Sequence, residues 1–358
     1  MNARLSNLRD FLFKENLDAI VINKPENRRY FSGFTGTSGI LLISAKTSDL
    51  ITDFRYVEQA TKQATKQATC FKIIEHKQSI IEILAEVIQR NGFAKIGFEG
   101  DFFTYNEFAQ LAKVTHDIQL KPVELDALRS VKDKLEIDDL KKAVEISDKA
   151  FEYILSFIKP GISELEVAVE LENYMRKLGS QKPAFDTIVA SGIRSSLPHG
   201  VASEKKIEDG DFVTMDFGAV FNGYHSDITR TVCVGKATAK QKDIYQLVLD
   251  AHLAGEAAIS IHKTGKEIDN EVRQIIINAG YGKFFGHGLG HGVGLAIHEF
   301  PRLSPLSKCG KLRENMVVTV EPGVYLPNWG GVRIEDTVVV TANGCEVLTK
   351  SSKHLIEL

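Results

Sequence analysis

At 358 residues, with 43% apolar and 25% charged side chains, the chain has room for two domains with full cores and an ordinary globular composition. A net charge of −3 gives no electrostatic case for a nucleic-acid partner, and no apolar run approaches the ~20 residues that span a bilayer. Arg4, Arg9, Asp10, Lys14, Glu15 and Asp18 interrupt the first stretch, so no signal-peptide core is expected there. Cys70, Cys233, Cys309 and Cys345 show no CxxC spacing; free buried thiols and a cytoplasmic address are the expectation.

Residues 1–122 read as alternating strands and helices. Strand-like runs fall at 19–22, 40–43, 71–74 and 96–98. Helical patterns lie before the first strand and at 54–69, 79–91 and 105–114. This alternation predicts an α/β domain with a covered sheet. A repeat of Ala-Thr-Lys-Gln at 60–67 sets Lys62 and Lys66 on one helical face, which reads as a solvated surface. The loops Gly33-Phe34-Thr35-Gly36-Thr37-Ser38-Gly39 and Thr52-Asp53-Phe54-Arg55-Tyr56 read, taken alone, as turns and a helix start.

Lys121-Pro122 closes this first domain, 123–132 reads as a linker, and 133–358 forms the second. An amphipathic helix is predicted over 134–158, with Leu140, Val144, Ala150 or Phe151, and Leu155 at helical spacing and Pro160-Gly161 as the stop. Ser163 and Glu166 make a capping box for the next helix, ending near Gly179. A hairpin follows at 211–234, then helices over about 239–262 and 266–279, the first without a capping box. Segregated strands and helices predict an α+β domain with an antiparallel sheet.

The last third holds what reads as one hairpin written twice. Val213-Thr214-Met215-Asp216-Phe217-Gly218 leads to a turn at Asn222-Gly223 and returns through Ser226-Asp227-Ile228-Thr229. Val318-Thr319-Val320-Glu321-Pro322-Gly323 leads to a turn at Gly330-Gly331 and returns through Ile334-Glu335-Asp336-Thr337. The acids are eleven residues apart in the first copy and fourteen in the second, so each pair can meet on neighbouring strands. Asp216 and Glu321 end apolar runs, where an unpaired carboxylate is costly to bury. An old duplication giving a pseudo-two-fold is the implied origin.

Between the copies runs Gly286-His287-Gly288-Leu289-Gly290-His291-Gly292-Val293-Gly294. No frame in it gives GxGxxG, no Lys-Ser or Lys-Thr follows to make a P-loop, and no GxSxG occurs in the chain. The glycines instead point to backbone packed close to a ligand or another strand. Two like charges about 4 Å apart repel by roughly 4 kcal/mol at an effective dielectric near 20. Four carboxylates and an imidazole therefore need a cation. Oxygen-rich ligation with one imidazole suits Mn²⁺, Co²⁺, Fe²⁺ or Zn²⁺, and five ligands exceed what one ion needs. The implied nucleophile is water shared by two ions, its pKa lowered from 15.7 towards ~7.

These residues resemble the pita-bread metallopeptidases, the family of methionine aminopeptidase, aminopeptidase P and prolidase. The matching elements are Met215-Asp216-Phe217-Gly218, the run from Gly223 through Asp227 to Thr231, Gly290-His291-Gly292-Val293-Gly294-Leu295, Ile297-His298-Glu299, Val320-Glu321-Pro322-Gly323-Val324-Tyr325 and Gly331-Val332-Arg333-Ile334-Glu335-Asp336. The resemblance implies Asp216 on one metal, His291 and Glu321 on the other, and Asp227 and Glu335 bridging. It implies two divalent ions, Mn first, with Co, Zn or Fe as alternatives. Glu321 would also carry the proton of the attacking water, His298 would steady the oxyanion, and His199 would assist the leaving group. His287, Arg302 and Tyr224 would meet the substrate, while Arg333 and Thr229 would stand behind the carboxylates. A metal-free relative such as creatinase lacks this full ligand set. A homodimer is also implied.

The N-terminal domain separates this chain from the simplest methionine aminopeptidases. Its two loops are similar to aminopeptidase P's "GFTG(S/T)xG" and "TDGRY", with Phe54 where that pattern has Gly. His298-Glu299-Phe300-Pro301-Arg302 resembles the prolidase version instead, in which the Arg meets a dipeptide's free carboxylate, and the chain length is that of short prolidases. The expectation places Xaa-Pro aminopeptidase first and Xaa-Pro dipeptidase second. A non-catalytic peptide-binding module on the same fold, and a general methionine aminopeptidase, come after them.

Overall fold

The computed structural model describes residues 3–64, 71–77 and 79–358, which divide into two compact units, Met1–Arg129 and Ser130–Leu358. In the first, strands β1 (Ala19–Ile22), β2 (Ile40–Ser44), β3 (Ser48–Thr52), β4 (Lys72–Glu75), β5 (Lys95–Glu99) and β6 (Gln119–Val123) form one mixed sheet in the order β4-β3-β2-β1-β5-β6. Every residue of β1 and β2 is buried, which is why these runs were legible as strands. Helices α1 (Ala3–Glu15), α2 (Pro25–Ser32), α3 (Val57–Ala64), α4 (Ile80–Arg90) and α5 (Tyr105–Val114) connect them, α4 burying Leu84 and Ile88 against Ile51 and Ile96.

Three elements here were not anticipated. β3 and β6 are short and mix polar with apolar residues, and α2 is a two-turn helix whose signals are Pro25 at its start and a left-handed Gly33 at its end. Val123 still pairs with Glu99, and Asp126–Arg129 forms a 3-10 turn, so regular structure continues past residue 122. In the repeat, Lys62 is exposed and paired with Glu58; Lys66 and Cys70 lie outside the described residues.

The second unit is α+β with antiparallel sheets throughout. Helices α6 (Lys134–Ile154) and α7 (Glu164–Lys177) bury Phe151 and Leu171 against Val213, Met215 and Phe217. α8 (Ala239–Ala258) and α9 (Gly265–Asn278) bury Val248 and Val272 against Val318 and Val338. α8 does carry a capping box, contrary to expectation: Thr238 and Gln241 bond each other's backbone N–H, Gln standing in for the usual Glu. Strands β7 (Ile188–Ser191), β8 (Phe212–Phe217) and β11 (Ile228–Cys233) make a sheet in the order β11-β8-β7, and β9 (Val220–Phe221) and β10 (Tyr224–His225) close its hairpin. Asn222 and Gly223 both take positive φ there, as a two-residue turn requires. The larger sheet runs β13-β12-β14-β17-β18, built from β12 (Gly290–Gly292), β13 (Glu299–Leu303), β14 (Val317–Val320), β17 (Asp336–Thr341) and β18 (Gly344–Val347).

The second hairpin departs from its expected turn. Gly330 and Gly331 lie in β16 (Gly330–Arg333), paired with Leu326 and Tyr325 of β15 (Gly323–Leu326), and the chain reverses earlier, at 327–329. The glycines are needed for contact rather than for turning. A Cβ on Gly331 would stand 2.3 Å from the Ser195 carbonyl oxygen, and Ser195 Oγ accepts the Gly331 N–H at 2.8 Å. No described helix is long and apolar enough to cross a membrane. Cys233 and Cys309 are free and buried, and Cys345 is free and half-buried.

Because the obstacle at Gly331 is backbone, Gly331→Ala is expected to destabilise the protein by about 1–3 kcal/mol. Urea unfolding of the variant against wild type measures this, and an unchanged midpoint would contradict the packing described.

Candidate metal centre

Strand alternation aims the first acid. In β8, Val213, Met215 and Phe217 enter the core behind α6 and α7, so Asp216 projects from the other face. Asp227 immediately precedes β11, Glu321 follows β14, Glu335 sits between β16 and β17, and His291 is central in β12. All five line one cavity of about 600 Å³, together with His199, His287, His298, Arg302 and Arg333.

Facing lone pairs dominate the geometry. His291 Nε2 lies 3.5 Å from Asp227 Oδ2 and 3.5 Å from Glu321 Oε1, and ligand atoms of Asp227, His291 and Glu335 all fall within 4.8 Å of one another. The ring's other nitrogen, Nδ1, donates to the Gly292 carbonyl at 3.1 Å, leaving Nε2 as an acceptor among acceptors. Asp216 Oδ1 is buried with no hydrogen-bond partner among the described residues. Such a set is satisfied by a cation placed between its members, and its oxygen-rich, single-imidazole chemistry fits a divalent ion.

The protonation equilibria point the same way. Burial drives Glu321 up to about 8, partly opposed by Arg333 and then reinforced by Asp216. Burial first, and then the neighbouring carboxylates, push Asp227 and Glu335 well above the usual carboxylate range. Burial, with His298 next, lowers His291 to about 3.

Other side chains hold the acids in place. Arg333 donates through Nη2 to Asp216 Oδ2 at 2.6 Å and through Nε to Thr229 Oγ1 at 3.0 Å, and Thr229 donates to Glu335 Oε2 at 2.7 Å. Thr319 Oγ1 accepts from the His291 N–H at 3.1 Å and lies 3.4 Å from Glu321 Oε1. Glycines let β12 fit its slot: a Cβ on Gly290 would stand 2.0 Å from the Thr319 carbonyl, and one on Gly292 2.5 Å from that of Phe300. The close partner is neighbouring strand, one of the two alternatives the sequence left open.

One expected substrate contact is placed differently. Tyr224 does not line the cavity; it is buried in β10, where its hydroxyl donates to Glu136 Oε1 of α6 at 2.8 Å. His287 lines the cavity with both ring nitrogens engaged, Nε2 by the Tyr325 hydroxyl and Nδ1 by the Gly288 carbonyl, each at 2.8 Å. Arg333 Nη1 donates to that hydroxyl at 2.8 Å, so the hydroxyl's own proton goes to His287. Tyr325 belongs to the Val320–Tyr325 element, and its motif alone implies no role for it. Phe185 and Ile188, apolar lining residues, carry no sequence signal at all, and Ile297 lines the cavity from a matching element in which it has no expected role.

His298 stacks edge-to-face on His291, with centroids 4.3 Å apart, and burial followed by Arg302 lowers its pKa. His199 and His298 are solvent-exposed, and Arg302 has no ion-pair partner among the described residues.

Residues 138–342 match the model of metallopeptidase family M24, and residues 4–131 that of the Creatinase/Prolidase N-terminal domain. The chain belongs to family M24. A Xaa-Pro dipeptidase of Pyrococcus furiosus is 42% identical over 361 residues, 99% of this chain and 100% of that one. The solved structure of a Xaa-Pro dipeptidase from Bacillus anthracis is 49% identical, with a TM-score of 0.96 and 99% of each chain covered. That of an X-Pro aminopeptidase from Thermotoga maritima is 38% identical, with a TM-score of 0.89 over 99% of this chain and 100% of the other.

Acids whose folded pKa is raised bind more protons folded than unfolded, so their stability contribution is lost as pH rises through the folded value. For Glu321 that window runs from 4.5 to about 8. The lowered histidines act oppositely, but only below about 6.5. Metal-stripped protein is therefore expected to melt at a lower temperature at pH 8.5 than at pH 7, with the drop reduced in Glu321→Gln. Calorimetric scans check this; a flat profile shared by both proteins would contradict the shift.

Proposed function

We propose that the chain is a two-metal exopeptidase that hydrolyses the bond between a first residue and proline, with Xaa-Pro dipeptides as its substrates. The observation that carries the dipeptide reading is Arg302. The cavity's other guanidinium, Arg333, is committed to Asp216, Thr229 and Tyr325, whereas Arg302 is exposed in the lining and makes no ion pair among the described residues. A dipeptide brings a carboxylate on its proline, and a planar guanidinium is suited to receive it. The relatives from Pyrococcus furiosus and Bacillus anthracis bear the dipeptidase name, in accord with this choice.

Asp216, Asp227, His291, Glu321 and Glu335 would hold the two ions, with manganese as the first choice. The ions would supply Lewis acidity and bring the pKa of water near neutrality. The remaining work belongs to side chains. The Xaa-Pro bond is a tertiary amide without N–H, so its nitrogen must be protonated to leave. Glu321, whose carboxylate faces the cavity, is suited to take the proton of the attacking water and pass it on to that nitrogen. The water's oxygen joins the carbonyl carbon, the C–N bond breaks, and a free amino acid and proline result. His298 would donate to the developing oxyanion, and His199 would assist at the leaving proline. Phe185, Ile188 and Ile297 give the ring an apolar wall.

The aminopeptidase reading keeps support from the two N-terminal loops and from the Thermotoga maritima relative. Assays of Ala-Pro and Ala-Pro-Ala with Mn²⁺ separate the readings. The dipeptide is expected to be cut at least tenfold faster, and a preference for the tripeptide would move the assignment. Arg302→Gln is expected to raise KM for Ala-Pro about tenfold or more, since a hydrogen bond to a charged group contributes about 1.5–3 kcal/mol. An unchanged KM would remove Arg302 from recognition.

A further inference from the structure

A second group of metal-binding residue types stands outside the cavity lining. His252, Glu256 and Asp336 offer ligand atoms within 4.8 Å of one another. The chain supplies its own cations there. Lys353 Nζ bonds both Asp336 and Glu256, and Arg230 Nη2 donates to Asp336 Oδ1 at 2.6 Å. His252 Nε2 lies 3.0 Å from Asp336 Oδ2 and 3.3 Å from Glu256 Oε1. The group is a braced ion network, not a further metal site.

Arg230 shows what the brace is for. Its guanidinium is almost fully buried, and all five N–H donors are used. Nε donates to the Ser352 carbonyl at 2.8 Å, and Nη2 also to that of Ser351 at 2.8 Å. Nη1 donates to the carbonyls of Thr229 at 2.9 Å and Glu335 at 2.6 Å. Those two residues join the hairpins: the Glu335 N–H donates to the Thr229 carbonyl at 3.1 Å, and the Thr229 hydroxyl to the Glu335 carboxylate. One side chain thus ties the first hairpin, the second hairpin and the C-terminal segment at the backbone from which Glu335 projects.

We propose that Arg230 is a positioning residue for the metal centre: by fixing the Glu335 carbonyl and the Asp336 carboxylate it sets where the Glu335 carboxylate stands. This rests on the metal reading of the cavity. Lysine cannot replace it fully, because an ammonium has three donors and no planar fork. Groups that orient ligands without touching the ion typically alter metal affinity 10- to 100-fold.

The test is calorimetric titration of Mn²⁺ into metal-stripped wild type, Arg230→Met, Arg230→Lys and Lys353→Met, each at a temperature where circular dichroism shows it folded. Arg230→Met is expected to bind Mn²⁺ about 10- to 100-fold more weakly, Arg230→Lys to fall between it and wild type, and Lys353→Met to lose severalfold. At saturating Mn²⁺, KM for Ala-Pro is expected to stay near wild type, because Arg230 does not line the cavity. Folded Arg230→Met with wild-type Mn²⁺ affinity overturns the proposal. Should that variant not fold, wild-type affinity in both Arg230→Lys and Lys353→Met overturns it instead. Wild type that takes up no Mn²⁺ defeats the metal reading itself, and the proposal with it.

Discussion

Repulsion among Asp216, Asp227, Glu321 and Glu335 is the constraint on which the rest of the C-terminal unit depends. Each like-charged contact near 4 Å costs roughly 4 kcal/mol at an effective dielectric of 20, and burial adds to that. The chain offsets only part of it internally. Arg333 serves Asp216, Thr229 serves Glu335, and Thr319 stands beside Glu321. The lone pair of His291 and the buried Oδ1 of Asp216 remain for a cation. Burial, reinforced by Asp216, drives Glu321 up to about 8.

The two hairpins answer each other at this point. Thr229 follows Asp227 by two residues and donates to the Glu335 carboxylate, while Thr337 follows Glu335 by two and donates to the Asp227 carbonyl at 2.9 Å. Each hairpin therefore holds the other's second acid in place. That crossed arrangement fits an origin by duplication. It also explains why both copies keep a threonine at that spacing although neither threonine is one of the five ligand candidates.

Much of the site was legible because buried carboxylates at the ends of apolar strands are chemically conspicuous. Asp216 after Val213-Thr214-Met215, and Glu321 after Val318-Thr319-Val320, have few bland explanations, and the structure gathers both into one cavity with His291. Roles assigned through resemblance alone fared less evenly. Tyr224 is turned to Glu136, and Nε2 of His287 is engaged by Tyr325, because partners far away in sequence decide where a polar side chain points. Phe185 and Ile188 could not be found, since an apolar residue facing a cavity looks like one facing a core. In the fold, long apolar runs such as β2 were readable, whereas β3 and β6 mix polar with apolar residues and are recruited by neighbours. The Gly330-Gly331 pair misled for a related reason. Glycine marks close approach as well as turning, and the approach here is to Ser195, remote in sequence.

The most direct test is the metal stoichiometry of the full chain after reconstitution with Mn²⁺ and exhaustive dialysis, measured by inductively coupled plasma mass spectrometry. About two ions per chain, displaced by a strong chelator, is the expected result. A folded protein that retains none, or that still hydrolyses Ala-Pro once stripped, would contradict a centre held together by cations.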